Sequence, residues 1–198
     1  IDTILFSVTP KQISESASKN NGKIIVKGIL QRAEVKNQNG RIYPREVLMR
    51  EAKKYSDINI KERRALGELD HPDSSVINLK NVSHNIKECG WDGDDVVGVV
   101  EILPTPSGNI LKELLKAGIR LGISSRGMGS VENIGEGKVR VGEDFELLGF
   151  DFVSNPSTQG AFLGPVNESL QRDSRSQVQI GTDICGEWCK TQNLIREI

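Results

Sequence analysis

Histidine, aromatic residues, cysteine and long apolar runs are all scarce in this sequence, and each shortage narrows what the protein can be. No apolar stretch approaches the roughly 20 residues a membrane-spanning helix needs, and no charged-then-apolar leader is recognisable. The chain opens on Ile1 rather than methionine, which allows a processed terminus or a segment upstream. An excess of one charge is missing too. With 26 Lys and Arg against 27 Asp and Glu, the net charge of −1 gives no electrostatic reason to expect nucleic acid or a membrane surface as a partner. Three cysteines, an odd count, argue against a disulfide framework and for a reducing compartment. Cys185 and Cys189, with His84 and Cys89, would supply soft zinc ligands, but their spacing is looser than the paired cysteines of zinc modules. Free thiols, no metal and no cofactor are therefore expected.

What is present describes one folded domain with ends to spare. A hydrophobic content of 36% against 27% charged residues is that of an ordinary globular chain long enough to bury a core. Residues 1–21, polar after a short apolar start, read as an N-terminal arm, and residues 166–198 as a polar C-terminal tail. Between them, 22–165 carries the structural signals. The β-branched run 23–35 predicts a strand, bulged at Gly28. Pro44 opens a helix whose apolar positions 47, 48, 52 and 55 share a face. Strands are expected at 65–71, 82–89, 95–103, 121–131, 138–141 and 145–153. A second helix over 109–116 is expected to be capped by Ser107 and closed by Gly118. With no βαβ rhythm, the pattern reads as an α+β domain, more barrel-like than doubly wound.

One of only two histidines lies in Leu66-Gly67-Glu68-Leu69-Asp70-His71-Pro72. A residue before proline is held extended, which fixes the backbone of His71. Strand alternation groups it with Ala65, Gly67 and Leu69, and puts Glu68 on the other face. Downstream, Gly122-Ile123-Ser124-Ser125-Arg126-Gly127-Met128-Gly129 offers two hydroxyls on opposite faces. If Leu121 and Ile123 face the core, Ser124 is on the more open side and is the better nucleophile, with Ser125 structural. Backbone N–H groups near Arg126 and Gly127 are candidate oxyanion donors, the guanidinium adding positive charge. Asp151, in Gly149-Phe150-Asp151-Phe152-Val153, is a carboxylate in an apolar strand, costly unless paired. Holding His71 in one tautomer would be such a pairing; His84 is the rival for that place. Structural alternatives stand beside each of these roles. A lone histidine at a turn is more often structural than catalytic, and the serine stretch lacks the Gly-x-Ser-x-Gly elbow.

Taken in order, these stretches, with Asn39-Gly40-Arg41-Ile42-Tyr43-Pro44, resemble the prohead core proteases of large tailed phages over about Gly22 to Leu163. That family is related in fold to the herpesvirus assemblins. The resemblance implies a herpesvirus-protease-like β-barrel core with surrounding helices. It implies a serine endopeptidase inside the immature capsid, in the cytoplasm of a bacterial host. Its substrates would be phage scaffold, core and major capsid proteins, cut after glutamate in an aliphatic-x-Glu context, and the enzyme itself. Carried over by motif, Ser124 is the nucleophile, His71 the general base and Asp151 the third member, in an enzyme that self-associates. Ile13-Ser14-Glu15, Leu111-Lys112-Glu113 and Ile195-Arg196-Glu197 all fit the loose cleavage pattern.

Overall fold

The computed structural model describes residues 10–72, 74–158 and 164–165. In chain order they form α1 (Pro10–Lys19), β1 (Ile24–Arg32), β2 (Arg41–Ile42), α2 (Arg45–Tyr55) with a π-helical extension (Ser56–Ile60), and β3 (Leu66–Glu68). Then follow β4 (Val82–Asp92), β5 (Asp95–Ile102), α3 (Pro106–Lys116), β6 (Gly122–Met128), β7 (Val131–Gly135), β8 (Lys138–Val141), β9 (Glu146–Val153) and β10 (Gly164–Pro165).

The architecture is mixed α and β. Five strands pair in the order β10-β1-β5-β4-β3, three in the order β2-β8-β7, and β6 pairs with β9 alone. The barrel expected from the sequence is thus not a closed ladder. Its strands are divided among three sheets, and among the described residues a single parallel bridge, from Leu69 just after β3 to Phe152 of β9, links the first sheet to the third. The break has a local cause. Asp70 adopts a φ of 70°, a left-handed conformation that ends strand pairing after one residue.

Residues 10–19, expected in a polar arm, instead form a helix with Ile13 and Ser16 fully buried. Alternating polar residues around one large apolar side chain hide that face from a composition reading. In β1 the register shifts between Ile29 and Gln31, not at Gly28. The extra residue, Leu30, turns fully into the core over Gly98, where a side chain would collide with it. The helix over 106–116 is capped by Thr105, whose Oγ1 accepts from the Gly108 N–H at 3.0 Å, rather than by Ser107. Pro106 then occupies the first turn, where its missing N–H costs nothing.

The core runs between the sheets. Leu48, Ala52 and Tyr55 of α2 pack with Phe150 and Phe152 of β9, with Tyr55 and Phe150 meeting edge to face at 5.6 Å. β9 is buried over nearly its whole length, so every residue on it that is not apolar needs a partner.

Candidate active site

The antiparallel register of β6 on β9 sets Ser124 directly opposite Asp151 and Arg126 opposite Gly149. Opposed residues project to the same face, so Ser124 and Asp151 are a cross-strand pair and Arg126 is the diagonal neighbour of the aspartate. The register then shifts between Arg126 and Gly127, a bulge beside the cluster. Gly127 is exposed, and a methyl there would run into the Phe145 ring.

Asp151 is completely buried and fully engaged. Its Oδ1 accepts from the Glu68 N–H at 3.0 Å and from Arg126 Nη2 at 3.3 Å. Its Oδ2 is 2.9 Å from His71 Nδ1 and 3.1 Å from Arg126 Nε. A buried carboxylate so surrounded is an anion, so Nδ1 carries the hydrogen that it donates to Oδ2. That leaves His71 Nε2 as the nitrogen without a hydrogen, and it has no hydrogen-bond partner among the described residues; the imidazole side chain is 40% exposed. Its backbone is held from two sides: the Asp70 N–H donates to Phe152 O at 2.8 Å, and the His71 N–H donates to Asp70 Oδ1 at 3.0 Å.

Two expectations about faces change. Ser124 is 3% exposed, not on an open side, and stands opposite the fully buried Asp151. Its hydroxyl shares a hydrogen bond with Ser157 Oγ at 3.1 Å, and among the described residues it makes none to His71. Glu68, assigned by alternation to the face away from His71, is fully buried in the same cluster. The register irregularity between Gly67 and Glu68 and the left-handed Asp70 undo the period of two. The guanidinium of Arg126 turns inward, 3.6 Å from Glu68 Oε1 as well as against Asp151. Glu68 and Ser157 were not singled out in the sequence. A glutamate inside an apolar strand segment was the available signal for the first, and nothing local signals the second.

His84 is committed elsewhere. It is fully buried, Nε2 donates to Phe150 O at 2.9 Å, and Nδ1 lies 2.9 Å from Ser83 Oγ. Burial pushes its pKa down to about 4, so the ring is neutral and accepts at Nδ1 from the serine hydroxyl. Its ring packs edge-on against Phe152 at 4.8 Å. Gly67 makes this possible, since a Cβ there would collide with the His84 ring and the Phe150 carbonyl. Gly67→Ala is expected to lower stability by about 2–3 kcal/mol, read as a lower urea midpoint at unchanged m-value.

Of the thiols, Cys89 is buried and its pKa is raised to about 12 by burial, an inert group. Cys185 and Cys189 lie outside the described residues, as does Glu197. Glu15 and Glu113 lie in α1 and α3, where Ile13 and Leu111 are fully buried.

A mixed α/β protein that sets a serine opposite an aspartate on two paired strands, with a histidine from a neighbouring loop on that aspartate, carries the parts of a serine hydrolase. Comparison with known proteins makes the class specific. The chain belongs to the prohead core protein serine proteases, whose family model matches residues 7–171. It is 34% identical over 145 residues to the prohead core protein protease of Enterobacteria phage T4, covering 72% of this chain and 68% of that one. The solved structure of the bacteriophage T4 capsid assembly protease superposes with a TM-score of 0.64 at 33% identity, covering 67% of this chain and 82% of that one.

Proposed function

We propose that this protein is a capsid-maturation serine endopeptidase, with Ser124 as nucleophile, His71 as general base and Asp151 as the group that orients the base. One observation carries the assignment: the 2.9 Å contact between His71 Nδ1 and Asp151 Oδ2, on the carboxylate that faces Ser124 across the β6–β9 ladder. Membership of the prohead core protein serine proteases supports the reaction class.

The reaction follows from the atoms available. Ser124 Oγ leaves Ser157 and turns toward His71 Nε2. As Oγ attacks the scissile carbonyl carbon, its proton passes to Nε2, and the carbonyl π electrons move onto oxygen. The N–H groups at Arg126 and Gly127, next to the bulge, are the proposed donors to that oxyanion. Asp151, already an anion, faces the imidazolium as it forms. Collapse of the tetrahedral species breaks the C–N bond, and the imidazolium gives its proton to the departing amine. Water, deprotonated by the same nitrogen, then hydrolyses the acyl-enzyme and restores Ser124.

The substrates are phage scaffold, core and major capsid proteins inside the prohead, cut after glutamate, together with the enzyme's own chain. Support for the setting comes from the T4 relatives, named for the prohead core and for capsid assembly. Residues 22–165 are the protease domain. Kinship with the herpesvirus barrel is supported by the Leu69–Phe152 bridge and by β6 lying against β1, two places where the third sheet meets the first.

Incubation with a serine-reactive phosphonate is expected to add one label, located at Ser124 by peptide mass spectrometry, with none on a His71→Ala variant. Absence of an adduct on the folded, assembled protein would replace this reading with a non-catalytic scaffold-binding module.

A further inference from the structure

We propose that Arg126 and Glu68 are positioning residues for this reaction, an opposed pair that sets the charge and orientation of Asp151 and, through it, the basicity of His71. The proposal rests on the reading of Ser124, His71 and Asp151 as the catalytic set.

The geometry joins three charged groups and the imidazole in one place. Arg126 is 9% exposed; Nε lies 3.1 Å from Asp151 Oδ2 and Nη2 donates to Oδ1 at 3.3 Å. Its Nη1 lies 3.6 Å from Glu68 Oε1 and donates to Ser74 O at 3.1 Å. Glu68 gives its backbone N–H to Asp151 at 3.0 Å, and its Oε1 accepts from the Asn78 N–H at 3.0 Å. The segment after His71 is therefore tied at Ser74 by the arginine and at Asn78 by the glutamate. Glu68 Oε2 is buried and has no hydrogen-bond partner among the described residues. Burying a carboxylate with one oxygen unpaired is costly, and the groups placed to offset that cost are Arg126 and the Asn78 N–H.

The charges sum simply. Two carboxylates and one guanidinium leave the cluster with one net negative charge while His71 is neutral. When His71 takes the proton of Ser124, the cluster becomes neutral. The neighbours leave this arithmetic unchanged: burial keeps His84 neutral by lowering its pKa and Tyr55 neutral by raising its own. Among the described residues the Asp70 carboxylate receives the backbone N–H of His71, and it is the same in every variant below. The balance decides how tightly the base holds a proton. Without Arg126, the imidazolium faces two uncompensated carboxylates and the base stays protonated to higher pH. Without the charge of Glu68, it faces an aspartate already cancelled by arginine, and the base loses its proton at lower pH. An oxyanion role for the guanidinium predicts neither effect.

The experiment compares wild type, Arg126→Met, Glu68→Gln and the double variant on a scaffold-derived peptide across pH, each checked for cooperative unfolding. The acid limb of kcat is expected to move up in Arg126→Met, down in Glu68→Gln, and back toward wild type in the double variant. At neutral pH, Arg126→Met is expected to lose about tenfold to hundredfold in kcat with little change in KM, a loss that shrinks on raising the pH. If Arg126→Met does not fold, the isosteric Glu68→Gln arm decides alone. The same shifts are expected in the NMR titration of His71 in a Ser124→Ala background, where the only other imidazole, His84, is pushed down to about 4 by burial. Opposite shifts that cancel support the proposal; shifts absent or of one sign, or a rise in KM in place of the kcat loss, overturn it. An active Ser124→Ala protein would sink the catalytic assignment, while the NMR arm still decides the role of the pair.

Discussion

Ser124→Ala is expected to lower kcat on a scaffold-derived peptide by at least about 10³-fold, since the remaining residues then have no nucleophile to activate. The fold should survive. Among the described residues Ser124 has one side-chain hydrogen bond, to Ser157, and its loss costs about 1 kcal/mol, which for a chain of this size moves Tm by roughly 2–4 °C. Ser125 provides the internal control. It stands opposite Phe150 on the other face of β6 and is only partly buried, so Ser125→Ala should stay within a few-fold of wild type. Activity within tenfold of wild type in Ser124→Ala, or its loss in Ser125→Ala alone, would remove Ser124 from the mechanism.

Asp151→Asn is expected to cost about 10⁴-fold in kcat at little change in KM. The two oxygens of Asp151 receive hydrogens from opposite sides, the Glu68 N–H and His71 Nδ1. An asparagine has one oxygen for these two donors. The Glu68 N–H is fixed by the backbone, so it takes the oxygen and turns the amide NH₂ toward His71. The imidazole answers by accepting at Nδ1, which places its hydrogen on Nε2, the nitrogen that has to take a proton from Ser124. Geometry is retained and the tautomer is wrong. The arginine also loses one of its two carboxylates, so a lower Tm is expected alongside. A kcat within tenfold of wild type would mean that Asp151 has only a structural part.

Much of this was legible in sequence, for definite physical reasons. Pro44 and the spacing of Val47, Leu48, Ala52 and Tyr55 predict α2 to within a residue, because the first-turn proline and the apolar period agree. The strands β4, β5, β8 and β9 come from β-branched and alternating runs in the same way. Period-two reasoning fails where the backbone departs from it. At Asp70 a positive φ ends the alternation, so Glu68 turns up beside the partner of His71. At Ser124 alternation sorts the two hydroxyls onto different faces, but says nothing about what covers each. What meets Ser124 is Asp151 across the ladder and the hydroxyl of Ser157, 33 positions away in the chain. α1 was missed because one buried isoleucine among polar residues gives a weak period, and Thr105 was missed as a cap because the helix begins earlier than its apolar face.

The ladder between β6 and β9 also has a consequence in time. His71 and Asp151 are 80 positions apart, and Ser124 meets Asp151 only when those two strands have zipped in register. A slip of one residue would send serine and aspartate to opposite sides of the pair. A chain still emerging from the ribosome, or one folded as far as α3, holds none of these groups together. By this arrangement the candidate site does not exist until β9, the last long strand among the described residues, is in place.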